Sequence, residues 1–205
     1  PDKKKREYFE TYDLGKIREI EAKEIPHWYP KDRMMHAPDD QECWGVKWRA
    51  GTSNFRTVDE LFTKRNLWAL AAIREALDNT AQRDLLLFAF SGICLGFSKM
   101  CQWIPGASYP FPMMRGTYYM PPISKEQLVP HYYENRIELI KRAAKQITIS
   151  EVVVVSTQDA RKLYKVPSAS VDYIFTDPPY AEKVQYGELN FIWESWLGFN
   201  THWHD

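Results

Sequence analysis

The stretch RDLLLFAFSGICLGFSKMCQW, residues 83–103, constrains the fold most. From Leu85 to Phe97 it is apolar on nearly every side, so a helix built from it has no face to give to water. It is too short to cross a bilayer. The stretch therefore predicts a helix buried all round by the rest of the chain. A core of that size is within reach of 205 residues that are 44% hydrophobic and 15% aromatic. The same aromatic content argues against disorder. Gly92 and Gly96 fall four apart on one helix face, where the lack of side chains lets another element approach closely.

Three further helices are legible around it. Thr57-Val58-Asp59-Glu60 reads as a capping box that opens a helix to about Asn79, with Leu61, Phe62, Ala69, Ile73 and Leu77 as its core face. Ser124 and Gln127 suggest a second capping box, with Pro130 near the helix start. Val129, Tyr133, Ile137, Ile140, Ala144 and Ile147 then follow at helical spacing. At the N-terminus, residues 2–25 mix both charge signs around a thin stripe of Leu14, Ile17 and Ile20. The Lys3–Arg6 run there reads as a solvated helix end.

Between these helices, residues 26–57 look irregular, with Pro26, Pro30 and Pro38 as punctuation. Trp44, Trp48 and Phe55 interleave there with Lys47, Arg49 and Arg56, and residues 44–74 carry six basic and two acidic side chains. Charge plus stacking can grip a nucleic-acid strand, which makes Lys47, Trp48, Arg49 and Arg56 nucleic-acid-binding candidates. The bland alternative is a loop that covers the core. A formal net charge of zero does not exclude such a partner, because patches matter more than totals. Cys43, Cys94 and Cys101 lack metal or CxxC spacing and read as reduced thiols of a cytoplasmic protein, the latter two packed in a helix. HWHD at 202–205 is weak ground for a metal, and no metal is expected.

The texture changes after residue 147. SEVVVVSTQDA holds four consecutive valines and VDYIF follows about 15 residues later, both reading as buried strands. The connection is too short for a crossover helix. GELNFIWESWLGF then reads as an amphipathic helix with Leu189, Ile192, Trp193 and Trp196 inward and Gly198 as terminator. The expected organisation is a mainly helical block, 1–147, followed by a strand-containing block, 148–205, giving an α/β chain. Two strands do not make an independent sheet. With Pro1 in place of an initiating Met, this leads us to expect a piece of a longer protein.

The second strand runs into Asp177-Pro178-Pro179-Tyr180. Pro178 holds Asp177 extended, Pro179 does the same to Pro178, and neither proline has an N–H to donate. The loop therefore offers a carboxylate, bare carbonyl acceptors and an aromatic face. A heteroaromatic amine fits that set. Its two hydrogens go to Asp177 and the Pro178 carbonyl, and its ring stacks on Tyr180. Two acceptors hold the nitrogen lone pair toward an electrophile. In a duplex the base must first flip out.

FTDPPY at 175–180 resembles the signature of DNA amino-methyltransferases, the adenine-N6 and cytosine-N4 enzymes. TVDELFTKRNLWALAAI (57–73), RGTYYMPPIS (115–124) and DPPYAEKVQYGELNFIWESWL (177–197) resemble large prokaryotic adenine-specific DNA methylases. The resemblance implies a partial Rossmann-like methyltransferase sheet, S-adenosylmethionine as cofactor and double-stranded DNA with a flipped adenine as substrate. It implies catalytic roles for Asp177, Pro178, Pro179 and Tyr180, and it leaves room for partner proteins of a restriction or defence system. Asp159, in STQDA, takes the place of an acidic cofactor-binding residue, although a turn aspartate is an equal reading. The family's Phe-x-Gly-x-Gly cofactor loop is absent from the 205 residues: Phe90-Ser91-Gly92 has Cys94 where the second glycine should stand. This chain alone is therefore expected to be inactive and to need a longer protein. Cytosine-N4 or RNA base amines remain alternative substrates. A DNA-binding or assembly module with a vestigial loop is the alternative from another class.

Overall fold

The computed structural model describes residues 2–34, 55–106, 119–147, 153–156, 158–159, 161–178, 186–199 and 201. Six α-helices are found among them: α1 Lys3–Tyr8, α2 Leu14–Ala22, α3 Lys64–Leu77, α4 Arg83–Cys94, α5 Val129–Gln146 and α6 Tyr186–Leu197. A π-helical turn, Phe9–Asp13, joins α1 to α2. This N-terminal arm buries no side chain, and the Leu14, Ile17 and Ile20 stripe is only half-buried. Its surface is laced with i,i+3 and i,i+4 pairs such as Arg6–Glu10 at 2.9 Å and Lys16–Glu19 at 2.8 Å. Bonds from Lys16 and then Lys23 pull the Glu19 carboxyl down to about 2.

The α3 helix begins later than the capping-box reading had it. Thr57 makes no side-chain cap bond, and Val58–Leu61 is a single 3₁₀ turn. Glu60 reaches back one residue too far, accepting the amide of Arg56 at 2.8 Å. Phe62 then turns extended, and the working cap is Thr63, which accepts the Asn66 amide at 3.3 Å. This offset rotates the core face: Leu67, Leu70, Ala71 and Leu77 are buried, while Ala69 and Ile73 are only half-buried. The second proposed capping box also fails, because Ser124 sits in a β-bridge with Gln102. Pro130 does stand at the start of α5. Val129 and Tyr133 are buried, whereas the stripe runs out to exposure at Ala144 and Ile147.

The α4 helix lies at the centre but is not enclosed on all sides. Phe90, Ile93 and Cys94 are buried between α3, α5 and α6, while Leu85 and Phe88 are exposed by 53% and 69%. Tyr133 of α5 donates its hydroxyl to the Leu86 carbonyl at 3.1 Å, and Asn66 of α3 donates to the Phe97 carbonyl at 2.9 Å. Cys94 is packed in α4 as expected, and Cys101 is buried just beyond it; burial pushes both thiols up. Cys43 lies outside the described residues.

The sheet is the main correction. Among the described residues there is no strand, only three isolated bridges: Arg33 with Thr57, Phe62 with Ser98 and Gln102 with Ser124. The Rossmann-like arrangement is therefore not seen, and the chain is mainly helical. Val153, Val154 and Val155 are 70–90% exposed, and Tyr173, Ile174 and Phe175 are 70–84% exposed. The reason is one of partners. A valine run has β-propensity, but a ladder needs a neighbour, and among the described residues neither segment pairs with one.

The C-terminal helix belongs to the helical core. Phe191, Ile192, Ser195 and Trp196 of α6 are buried, with Leu189 and Trp193 half-buried. Trp196 meets Phe62 and Phe90 edge-on, each at 5.6 Å between ring centroids. Gly198 ends the helix at φ +76°, with Gly198 N–H bonded to the Ser195 carbonyl and Phe199 N–H to that of Glu194. That pair of bonds is a Schellman closure, and the left-handed residue between them suits glycine.

Candidate functional site

Asp177 and Pro178 end an exposed run without helix or strand that starts at Val171 and bends at Asp172. The Asp177 carboxylate makes no hydrogen bond or ion pair to another described residue. An exposed carboxylate before a proline has its acceptor oxygens open to an incoming donor. Pro179 and Tyr180 lie outside the described residues, so the acceptor half of the motif is described and the stacking half is not.

The next described element in the chain is α6, which begins eight residues after Pro178. The indole Nε1 of Trp193 donates to the Ser91 carbonyl of α4 at 2.9 Å. Arg74 of α3, only 6% exposed, donates through Nε to the Trp196 carbonyl at 3.1 Å. Its Nη1 holds Asp78 at 2.5 Å, and its guanidinium lies 5.7 Å from the Trp28 ring centroid. The Arg74 bond keeps the Asp78 carboxyl below its ordinary range. Arg74 is thus a clamp between α3 and the last turn of α6. Sequence reasoning missed it, although its spacing from Leu70 and Ala71 and an aspartate four residues on were the available signal. Arg74→Leu is expected to destabilise the fold by about 1–3 kcal/mol, because the buried carbonyl of Trp196 loses its donor. Urea denaturation checks this, and an unchanged midpoint would remove the clamp.

The other candidates do not converge on Asp177. Asp159 forms a tight turn with Arg161, accepting its amide at 2.9 Å and its guanidinium Nη2 at 2.8 Å. Those bonds, the side-chain one first, hold the Asp159 carboxyl below its usual range. This geometry is that of a turn aspartate. Lys47, Trp48 and Arg49 lie outside the described residues, as does HWHD. Arg56 is described and exposed; its carbonyl accepts the Met34 amide at 2.8 Å beside the Arg33–Thr57 bridge. Among the described residues no helix is long and apolar enough to cross a membrane.

Compared with known proteins, the chain matches no protein-family model, and no curated protein or solved structure resembles it significantly.

Proposed function

We propose that this chain carries the target-amine loop of an S-adenosylmethionine-dependent DNA methyltransferase that modifies the N6 amine of a flipped adenine. The observation that carries the reading is Asp177-Pro178: an exposed carboxylate without a partner among the described residues, inside the sequence Asp-Pro-Pro-Tyr. Asp177 accepts one hydrogen of the amine and the Pro178 carbonyl accepts the other. Tyr180 stacks on the ring, and Pro179 stiffens the loop. The shared pull of two acceptors gathers the lone pair on nitrogen and aims it away from the protein.

The proposed methyl donor does not fit the described residues. Asp159 is engaged by Arg161, and Gly92 lies within α4 rather than in a strand-to-helix turn. What the described residues contribute is therefore proposed for the amine rather than for the methyl donor. The anchoring of α6 by Arg74 and Ser91 supports a loop whose downstream end is fixed.

The test is label transfer from methyl-labelled S-adenosylmethionine by the full-length protein to duplexes that carry adenine or cytosine as the only base amine in the target strand, with an RNA strand as third arm. Label in adenine DNA is expected. Label only in cytosine or RNA moves the reading to those substrates. Absence of label from all three, with DNA still bound, favours a binding module.

A further inference from the structure

Beside the Tyr133 contact, a cleft of about 480 Å³ opens between α4 and α5. That volume lies within the range of small-molecule sites. One wall is the nearly bare backbone of α4 and the turn after it. At Gly92 a Cβ would lie 3.4 Å from Arg136 Nε, so the arginine side chain lies in van der Waals reach of the helix there. At Gly96 a Cβ would meet nothing within 4 Å, so there the wall faces open space rather than a packed neighbour. Phe97 is buried behind Tyr132, edge-on at 5.6 Å, so the half-buried Tyr132 ring is the aromatic face of the cleft, and Arg142 joins Arg136 among the lining residues. Arg136 is not paired with a carboxylate among the described residues. Glu138, which also lines the cleft, is taken by Lys141 at 2.6 Å.

Arg142 helps Lys141 offset the Glu138 carboxylate, which leaves the Arg136 guanidinium beside Tyr132 to complement a flat ring that carries an anion. Arginine's planar fork matches phosphate in particular. With Lys141 and Arg142 turned to Glu138, the cation left to the cleft suits one phosphate rather than a strand. We propose that the α4–α5 cleft binds a free nucleoside monophosphate, its phosphate on Arg136 and its base against Tyr132. This site is separate from the Asp177 loop and does not rest on the methyl-transfer reading.

Calorimetry of the full-length protein with adenosine monophosphate tests it. Saturable binding is expected, and Arg136→Gln should weaken it about tenfold or more, as loss of a charge-assisted bond to phosphate would. At Gly96 an added Cβ meets no neighbour, so Gly96→Leu should project into the cleft and abolish binding while the far-ultraviolet dichroism stays unchanged. Asp177→Ala should leave the affinity as it was. No saturation at millimolar ligand overturns the proposal. So does binding that survives Gly96→Leu, binding that is lost only in Asp177→Ala, adenosine bound as tightly as its monophosphate, or a site that takes an oligonucleotide but not the free nucleotide.

Discussion

Asp177→Ala in the full-length protein is expected to lower the methylation rate by about two to three orders of magnitude, while DNA affinity changes little. The magnitude follows from removing one positioned acceptor at the reacting group, a class of change that costs about 10²–10³ in rate. The reasoning is local. The amine of a purine shares its lone pair with the ring, and the Pro178 carbonyl alone cannot draw both hydrogens out of the ring plane. Asp177→Asn sharpens the comparison, because its amide oxygen keeps an acceptor but loses the charge, so it should fall between wild type and alanine. Since the Asp177 side chain is exposed and bonded to no other described residue, neither variant should shift the unfolding midpoint. A wild-type rate in Asp177→Ala removes the catalytic assignment. A lost rate together with a lowered midpoint moves the effect from chemistry to folding.

Trp196→Ala is expected to destabilise the chain by about 3–5 kcal/mol, the usual range for deleting a buried aromatic side chain. Trp196 is fully buried, packs edge-on against Phe62 and Phe90, and sits in the turn whose carbonyl Arg74 holds. Truncation would open a cavity where α3, α4 and α6 meet. Trp196→Phe separates packing from polarity. The indole Nε1 is buried without a partner among the described residues, so replacing it removes an unmet donor along with some volume. Its cost should be less than half that of the alanine variant. Urea denaturation followed by dichroism at 222 nm reads both, and equal losses in the two variants would mean that the ring's packing is not what stabilises α6.

These effects fall on features of unequal legibility. The helices at 64–77, 83–94, 129–146 and 186–197 could be read from apolar spacing, and the Gly198 terminator from its place after the last apolar turn. Helix starts were less legible. Thr57 with Glu60 satisfies the residue pattern of a capping box, yet Phe62 must leave the helical path to reach the core, and the start passes to Thr63. The valine run failed for a different reason. Propensity describes what a segment prefers once a neighbour is present, and at 153–155 and 171–175 none is supplied among the described residues. Arg74 was illegible because a charged residue on a helix reads as surface until the carbonyl it satisfies, 122 positions away, is brought to it. Asp-Pro-Pro-Tyr could be read as a stiff acceptor loop because proline constrains its own backbone whatever surrounds it, and its methyl-transfer chemistry is a proposal.

The most direct measurement of the central claim is nucleoside analysis by mass spectrometry of DNA from cells that express the full-length protein or its Asp177→Ala variant. The account predicts N6-methyladenine with the wild type and its loss with the variant. Equal N6-methyladenine in both, or none with a folded, DNA-binding wild type, would contradict it.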